Sequence, residues 1–578
     1  MTGTHRACPL IEVHGQRLPG PWESRLVDLV VESRVNMPAT ARLSYSDGQH
    51  RFFEKTGVRV GGALTVAMSS GQNRTSARIF DGEVTAVETS LDRGGTFAVV
   101  HASDCGHRLQ RGREAKAYGA TTLVAAVREA AGRHGLRADT TGLTGGQIPY
   151  LVRPNLTDWE LLTHLAEERG LHLAVDGETV TMRPLHPASQ APSPDTGADR
   201  SVFVLERGVN LRSLRAAVSS VGQVSQVRVT GWNPAAKAPV TGQAPAASSP
   251  AVHPSAGLGN LAGAFGGAPQ LLVTGPYSLP EQADTTARAL ADRTAAGAVR
   301  IDAQADGAPQ LRAGVPFTLR GAGAPFTGQY TATSCRHTYD REHGYLTDVQ
   351  VGPLPAPVVP PPPPLCARGV AIGLVTDIRE PGQGRRGAVR VKLPWLSDSY
   401  ESDWMRTVQW GGSGGGGIFV PEVGDEVLVA FEHGRLDRPY VIGGLYNGKD
   451  EPSSDDLPLV DPNSGRVNRR SIAARTGDRV ELLSTDAEAR GVRLRTGDGK
   501  LTAYLDRGET SICLTAGEPG SEVLVRLDGR EAGTVTVDAG EEGTLVLRGG
   551  TVRIEADEIQ QIVRLGTDVS PSLGQMHP

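Results

Sequence analysis

Apolar and polar residues alternate along most of the chain, and this pattern is typical of β-strands that have one buried face. In the first hundred residues it runs through Arg78 to Val87 (RIFDGEVTAV) and Thr96 to His101 (TFAVVH), with glycine-rich turns between such segments. Helical spacing of apolar residues is confined to a few segments. The pattern therefore predicts a mainly β protein with a smaller α+β part.

Three segments carry the signals of helices. Thr157 to Glu160 (TDWE) is a capping-box sequence, in which the Thr hydroxyl and the Glu carboxylate satisfy amides that the start of a helix leaves unpaired. An apolar stripe follows, and Gly170 ends the helix. Similar patterns predict helices over Thr121 to His134 and over Leu279 to Ala296, which has a proline in its first turn.

Short strands crowd together after a run of five prolines. The six candidates are Gly369 to Asp377, Ala388 to Leu393, Trp404 to Trp410, Ile418 to Val420, Glu426 to Glu432 and Tyr440 to Tyr446. So many strands in about eighty residues predict a small closed barrel of the OB type. Val427, Val429 and Phe431 share one face of a strand and are the predicted core of this barrel.

A repeat of about ten residues runs from Arg479 to Glu555. Its strands read VELL, VRLR, LTAYL, SICL, VLVRL, TVTV, TLVLR and TVRIE. Arg493, Arg495, Arg526, Thr536 and Arg553 alternate with an apolar set. The predicted inward residues are Val492, Leu494, Leu501, Ala503, Leu505, Val523, Val525, Leu527, Val535, Val537, Leu545, Leu547, Val552 and Ile554. Such strands cannot enclose a core alone, so we expect copies of the chain to wind into a β-prism with a shared interior, as an obligate oligomer.

Three low-complexity stretches interrupt these patterns. His186 to Arg200 and Asn233 to Pro269 are rich in Ala, Pro, Ser and Gly, and we interpret both as exposed loops because they contain few large apolar groups. Gly352 to Pro364 ends in five prolines, which favour the polyproline II conformation. This third stretch predicts a stiff spacer and the clearest domain boundary of the chain.

Composition narrows the classes of function. With 578 residues, 72 glycines, 39 prolines and only 5% aromatic residues, the chain fits several turn-rich β domains better than a large helical enzyme. A net charge of -5 gives no sign of a nucleic-acid partner. The five cysteines are far apart, which fits a reducing compartment. No apolar run has the length of a signal peptide or a membrane span, so we expect the chain to fold in the cytoplasm.

Candidate chemical sites are weak. Gly412 to Gly417 fits G-x-G-x-x-G, but a strand rather than a helix is predicted after it, so a flexible connection is preferred over a nucleotide site. His101, Cys105 and His107 lack a convincing fourth metal ligand and are interpreted as turn residues. The carboxylates of Glu422 to Glu426 lie on a tight hairpin, where we expect them to be solvated rather than catalytic. The sequence therefore predicts no enzyme, no cofactor and no metal site.

The run from Val389 to Pro452 resembles a known family. Its strand VRVKLPW, its hairpin IFVPEVGDEVLVAF and its ending DRPYVIGGLYN resemble the OB domain of VgrG spikes of type VI secretion. They are equally similar to the needle proteins of contractile phage tails and of extracellular contractile injection systems. Upstream, Pro154 to Val175 resembles the hub half of these spikes and the phage late control D family. Downstream, the ten-residue repeat resembles their β-prism needle.

This resemblance implies a fold and a domain order. The implied fold is mainly β, with an N-terminal β-barrel hub that has a few helices, an OB-fold barrel and a C-terminal trimeric β-prism (β-helix). The implied order is a hub β domain (1–105), an α+β hub insertion (106–185), a second hub β domain (201–352) with the loop 233–269, a proline-rich linker (353–366), the OB-fold (367–448), a linker (449–470), the needle (471–565) and a tail (566–578).

The resemblance also implies a mechanical function. In this family three chains form a hub that caps the inner tube, and sheath contraction drives the tube and the needle through a target envelope. We therefore expect a homotrimer that meets the inner tube protein and baseplate components, carries a separate PAAR-type tip protein and a cargo toxin, and binds no nucleic acid. We expect assembly in the cytoplasm within a phage tail-like particle that acts outside the cell, with no stable membrane insertion before firing. The kind of machine, the target cell and the cargo stay open.

An alternative is a binding module. Isolated OB folds hold glycans or single-stranded nucleic acid on an aromatic, basic face. Such a face could be built from Trp395, Trp404, Trp410, Arg385, Arg386 and Lys392. We prefer packing roles for the tryptophans, and salt-dependent binding to a panel of glycans and nucleic acids would separate the two hypotheses.

Overall fold

The structure is a computed structural model of the whole chain. It describes residues 9–69, 76–144, 146–148, 150–233, 236, 238–275, 277–352, 369–382, 386–394, 396, 399–455, 457–485, 489–518, 522–530, 533–540 and 543–560. The chain forms two compact units, Met1–Leu445 and Tyr446–Pro578. Strands dominate both units, so the prediction of a mainly β protein is confirmed. Across these described ranges, none of the helices combines the length and the apolar character that crossing a membrane requires.

The first unit opens with the first part of the hub. Its elements are β1 Pro9–Val13, β2 Gln16–Arg17, α1 Gly20–Glu23, β3 Leu26–Arg34, β4 Met37–Ser46, α2 Phe52–Thr56, β5 Ala63–Ser69, β6 Ser76–Asp92, β7 Gly95–Ser103 and a 3₁₀ turn at Cys105–Gln110. Alternate residues of β5 (Leu64, Val66 and Met68) are buried in the core, because successive side chains of a strand point to opposite faces.

The α+β insertion follows. It contains β8 Glu114–Tyr118, α3 Leu123–Arg133, β9 Arg137–Asp139, β10 Leu151–Leu156, α4 Asp158–Glu167, β11 His172–Asp176, β12 Thr179–Arg183 and a 3₁₀ turn at Ala188–Gln190. The predicted capping box starts α4: the Thr157 hydroxyl accepts from the Glu160 amide at 3.1 Å, and the Glu160 carboxylate accepts from the Thr157 amide at 2.9 Å. Trp159, Leu162 and Leu165 then pack into the core of the insertion.

The second part of the hub completes the sheet. It contains β13 Val204–Glu206, β14 Leu211–Val218, β15 Gln226–Asn233, β16 Ala238–Pro245, β17 Val252–Pro254, β18 Gln270–Thr274, α5 Pro280–Ala296, β19 Val299–Asp306, β20 Pro316–Arg320, β21 Gly328–Thr331, β22 Ser334–Asp340 and β23 Gly344–Val351. An eleven-stranded sheet has the order β14-β19-β23-β22-β3-β4-β7-β6-β5-β1-β2. Because β22 pairs antiparallel with β3, the two hub parts share one sheet, although about three hundred residues separate these two strands along the chain.

Part of the predicted loop 233–269 is a strand. β16 pairs with β15 along its whole length, and Val240 and Ala244 are buried. At Gly242 a Cβ atom would lie 2.2 Å from the backbone of Ala283 in α5. The loop interpretation is therefore wrong here, because the small residues of this stretch permit close packing of a helix on a sheet rather than prevent packing.

The predicted exposed loop 186–200 is also partly buried. Ala188, Ala191 and Ala198 belong to the core. The carbonyl of Pro192 accepts a hydrogen bond from the Thr318 hydroxyl at 2.5 Å, so the stretch is tied to β20. The loop prediction is therefore wrong for these alanines, which are small enough to be buried without a regular element.

The OB barrel contains β24 Val370–Asp377, β25 Arg390–Lys392, β26 Arg406–Thr407, β27 Glu426–Phe431, a 3₁₀ turn at Glu432–Gly434 and β28 Pro439–Gly444, in the sheet order β25-β24-β27-β28-β26. Val427, Val429 and Phe431 are buried together in its core. The prediction of a strand at Ile418 to Val420 is wrong: the side chain of Gln409, rather than a neighbouring strand, holds the Phe419 amide at 2.7 Å.

The barrel packs directly on the hub insertion. Val152 of β10 belongs to the same buried cluster as the barrel core, and the Tyr150 hydroxyl lies 3.1 Å from that of Tyr400. Arg435 binds the carboxylate of Glu168 at 3.2 Å. Burial opposes ionisation of Glu168, but its partners His164 and Arg435 lower its pKa to about 2. The predicted spacer over residues 353–366 lies outside the described residues.

The second unit is built on a seven-stranded antiparallel sheet in which each strand pairs with the next. Its strands are β29 Arg469–Ala473, β30 Arg479–Ser484, β31 Arg490–Arg495, β32 Leu501–Asp506, β33 Ser511–Ala516, β34 Val523–Asp528 and β35 Thr534–Asp538. The two further predicted strands, TLVLR and TVRIE, are wrong for the single chain: residues 543–560 contain no strand and are exposed. An apolar pattern makes a strand only where a neighbouring strand satisfies its backbone groups. The predicted tail, 566–578, lies outside the described residues.

Candidate functional surface

One face of the C-terminal sheet is apolar across six strands. The register of β30 to β35 places one cross-strand row through Leu482, Val492, Leu505, Ile512, Leu527 and Val535. A second row runs through Val480, Leu494, Ala503, Leu514, Val525 and Val537. A shorter third row joins Leu501, Ala516 and Val523. We call these three rows the apolar face.

Every predicted inward residue that lies in a strand belongs to this face. Much of the face is open to solvent in the single chain: Leu501 is 53% exposed, Leu505 48% and Val537 48%. Exposed apolar patches of this extent are rare on soluble monomers and mark interaction surfaces. Leu545, Leu547, Val552 and Ile554 are exposed too, but they lie beyond the last strand, where no register places them on the face.

The opposite face of the sheet is polar. Its central row contains Glu481, Arg493, Tyr504, Cys513, Arg526 and Thr536. The alternation that the sequence predicts for Arg493, Arg526 and Thr536 is thus present in the register. The sheet is amphipathic, which is the arrangement expected when one face is buried in an assembly and the other faces solvent.

A segment of the predicted linker 449–470 crosses this polar face. Asp455 accepts from Arg493 Nη2 at 2.9 Å and from Arg479 Nη1 at 2.9 Å. Arg493 Nε also donates to Glu481 at 2.8 Å, and the side chains of Asp455 and Glu481 are fully buried. We call residues 453–455 and 457 the strap. The linker interpretation therefore fails for the strap, which is an integral part of the second unit.

The strap is held by charge-assisted hydrogen bonds. Arg469 Nε donates to the carbonyl of Leu457 at 3.1 Å. Burial alone would raise the pKa of Asp455, but the amide of Leu457 and the guanidinium of Arg493 lower it, so the carboxylate stays ionised at neutral pH. The strap thus covers the polar face at β30 and β31, whereas the apolar face is open along its whole length.

Sequence reasoning did not identify the strap. Asp455 lies in the run EPSSDDLP, which has the composition of a turn or linker. Its partners Arg479 and Arg493 are 24 and 38 residues away along the chain. The buried glutamate Glu481 in the middle of VELL is the one signal in the sequence, because a charge between apolar residues requires a partner when it is buried.

The other candidate residues do not converge on a reactive site. His101 lies 3.2 Å from Glu88, and His107 lies 2.8 Å from Glu83, which Arg108 also binds. Burial raises the pKa of Cys105 to about 11, which disfavours the reactive thiolate. Among the described residues, no group of three or more His, Cys, Asp or Glu side chains is placed to hold a metal ion. The glycine-rich loop at Gly412 to Gly417 precedes irregular chain, not a helix.

The aromatic residues of the alternative OB surface have local partners. Arg390 lies over the ring of Trp404 at 5.2 Å, and Trp410 packs on Phe419 with ring centroids 4.7 Å apart. Arg386 is paired with Glu380 at 2.9 Å. Trp395 and Arg385 lie outside the described residues, and Lys392 lies in β25.

Two families match the chain. The family described as the Alg8 N-terminal domain matches residues 6–341, and the family described as the type VI secretion system/phage-baseplate injector OB domain matches residues 371–446. The second match covers the barrel strands β24 to β28. The resemblance to VgrG-type spikes that the sequence predicts is confirmed.

A curated relative and two solved structures are similar as well. Over 99 residues the chain is 38% identical to the type VI secretion system spike protein VgrG4b of Pseudomonas aeruginosa, an alignment that covers 16% of this chain and 12% of that protein. The chain thus spans about an eighth of the length of this relative. The structure of the E. coli c3393 protein, a component of the type VI secretion system, covers 75% of this chain and 99% of its own with a TM-score of 0.48 and 16% identity. The half-lidded Francisella PdpA-VgrG complex covers 92% of this chain and 88% of its own, with a TM-score of 0.49 and 9% identity.

Proposed function

Since the chain belongs to the family described as the Alg8 N-terminal domain and also carries an injector OB domain, we propose that three copies of it form the spike of a contractile injection machine. The hub would cap the inner tube, and the second unit would be the needle. The apolar face of the C-terminal sheet is the observation that carries this proposal.

Three copies of the C-terminal sheet can bury the apolar face that a single copy leaves exposed to solvent. A prism of three sheets encloses its interior, so each apolar face covers the other two and each polar face, with its strap, remains outside. Burial of apolar surface stabilises by about 25 cal/mol per Å², so joining three faces offers a large driving force for assembly. A single chain would leave Leu482, Leu505 and Leu527 in water.

The partners follow from this role. The spike would be assembled in the cytoplasm on an inner tube protein and baseplate components, within a phage tail-like particle. Its needle end would bind a separate PAAR-type tip protein, and the particle would carry a cargo toxin through the target envelope.

We propose truncation after Ile554 as a test of the tip: the trimer should persist, and binding of a PAAR-type protein in a pull-down should be lost. Retained binding would place the tip site elsewhere.

The spike would act by force and not by catalysis. Turn geometry and local ion pairs account for the carboxylates and histidines near the barrel and the hub, so a mechanical role needs no reactive group. We expect the purified protein to release no fragments from peptidoglycan. Release of fragments that depends on Glu422 or Asp425 would contradict this expectation.

Light scattering tests the stoichiometry. The wild-type protein should have three times the chain mass of 60.9 kDa. Val525→Glu should return the mass to one chain, because three carboxylates would meet in a dry core, where desolvation and repulsion cost several kcal/mol. The matched control is Thr536→Glu on the polar face, where the new carboxylate faces Arg526. A stable wild-type monomer at micromolar concentration, or equal effects of both substitutions, would refute the shared prism.

A further inference from the structure

The pattern of residues on the apolar face leaves the axial alignment of three copies poorly determined. In its first row, β30, β32 and β34 contribute Leu482, Leu505 and Leu527, whereas β31, β33 and β35 contribute Val492, Ile512 and Val535. A slide of one copy by two strands would therefore place leucine on leucine and β-branched residue on β-branched residue. In the second row the same slide exchanges Ala503 for Val480 or Val525, so one aliphatic side chain still replaces another. The repeat alone therefore fixes the axial register of three copies only weakly.

A contact that occurs once per chain is needed to set this register. The strap occurs once, but its ion pairs are all within one chain. The OB barrel also occurs once, and its last strand β28 ends at Gly444, two residues before the second unit begins. Any prism of three second units thus tethers three barrels by short lengths of chain.

The barrel has an apolar outer surface. β24 points Val370, Ile372 and Leu374 away from the barrel core, and they are 54%, 50% and 37% exposed. The register places Val370 beside Ala430, and Ile372 beside Leu428, so the surface continues across β27. We call Val370, Ile372, Leu374, Leu428, Ala430 and the exposed Ile442 of β28 the outer OB face.

A strand that is apolar on both sides is characteristic of a sheet buried on both sides. The inner residues of β27, Val427 and Val429, are fully buried. In the register, the charged residues Glu426 and Lys392 both lie beside Leu374, at one end of the outer OB face. A soluble partner that binds and leaves would require a surface that water tolerates. A permanent contact with identical neighbours does not require a polar surface, because it forms once during assembly and then stays buried.

We propose that the outer OB face packs against the barrels of the two other copies and sets the axial register of the needle. This inference rests on the trimeric spike proposed above and adds to it the contact that aligns the three chains. Burial of the outer OB face would stabilise only the arrangement in which all three barrels lie at the same position along the needle axis. A slide by two strands would separate the barrels by about 10 Å, since strands are spaced by about 4.8 Å.

Photocrosslinking in the full-length protein tests the contact. The photoreactive residue p-benzoylphenylalanine in place of Ile372 should give covalent two-chain and three-chain species, with links that map to the barrel of another copy. The same residue in place of Arg379, whose side chain is 86% exposed and paired with Asp377, is the control and should give few such species. Links only within one chain, or to other proteins, would overturn the inference while light scattering still reported a trimer.

Disulfide formation tests the register. In a Val525→Cys parent, in-register copies meet near the axis and should form disulfides between chains, whereas a slide by two strands moves the Cα atoms beyond the ~7 Å that a disulfide tolerates. Adding Ile372→Glu should lower the disulfide yield at least fivefold at unchanged trimer mass. An unchanged yield would overturn the aligning role of the outer OB face. A trimeric parent that forms no disulfide would instead count against the proposed needle core, and with it against both proposals.

Discussion

His337 of β22 is buried in the hub as a neutral side chain. Its Nε2 lies 2.9 Å from the carbonyl of Leu311, which can only accept, so Nε2 carries the proton. Its Nδ1 lies 2.9 Å from the Tyr345 hydroxyl, which donates to it. Burial lowers the pKa of His337 to about 4. Protonation would therefore leave a charge in the core, and the Tyr345 hydroxyl would have to turn from donor to acceptor.

The first prediction is a pH dependence of the first unit. A histidine whose pKa is lowered by folding contributes full stability above its ordinary value of 6.5, and this contribution is lost as the pH falls from 6.5 towards 4. The loss should reach about 3 kcal/mol, because each pKa unit corresponds to about 1.4 kcal/mol. Thermal unfolding at pH 7, 6, 5 and 4 should show a shallower loss of stability for His337→Gln, whereas His253→Gln, at an exposed position of β17, should match the parent. Equal slopes for both variants and the parent would refute the assignment.

The second prediction concerns the strap. Asp455→Asn removes the buried carboxylate that the partly buried side chains of Arg479 and Arg493 share. Breaking a buried ion pair from one side costs about 3 kcal/mol or more. The unfolding transition of the second unit should fall in temperature, and proteases should cut more readily between Leu457 and Arg479. Asp557→Asn, at an exposed position of the same unit, is the control and should behave as the parent does. Unchanged protease resistance in Asp455→Asn would show that the ion pairs do not hold the strap.

At the scale of the element, alternation identifies strands when the inward residues are large. β5 has Leu64, Val66 and Met68 inside and was predictable for that reason. β16 has Val240, Gly242 and Ala244 in the same positions, and this small set resembles a loop in composition. What decides its structure is the approach of α5, about forty residues later in the chain. A local pattern does not contain that information.

The third prediction tests this close approach. Gly242→Ala places a Cβ atom 2.2 Å from the backbone of Ala283, and a backbone atom cannot move aside as a flexible side chain can. The overpacking should cost about 2 kcal/mol in the unfolding of the first unit. Gly119→Ala is the matched control, because no atom lies within 4 Å of its added Cβ. If the two substitutions cost the same, the contact between α5 and β16 would be looser than the structure has it.

For the whole molecule, repeats are easy to recognise in the sequence, but the segments that pack against them are hard to predict. Strands β30 to β35 and the face that Val525 belongs to could be predicted from the period of the sequence, whereas β29 lies before the repeat and was not predicted. The strap could not, because ion pairs between distant residues leave no local period. The shared sheet of the hub could not either, since the pairing of β22 with β3 joins strands from opposite ends of the first unit. A sequence pattern shows which residues of an element are buried. The element that they pack against is set by long-range pairing, which the pattern does not contain.

The fourth prediction separates the two units by their response to concentration. The first unit has buried cores of its own, whereas the second unit leaves its apolar face open unless other copies cover it. Two unfolding transitions should therefore appear, and only the one that exposes the apolar face should move with protein concentration. A tenfold rise in concentration should stabilise a trimer by about 2.7 kcal/mol, because the association constant carries the square of the concentration and each factor of ten is worth about 1.4 kcal/mol. Differential scanning calorimetry at two concentrations measures this shift. Val525→Glu should abolish the shift and Thr536→Glu should preserve it, and a concentration-independent second transition in the parent would mean that a single chain buries its apolar face by itself.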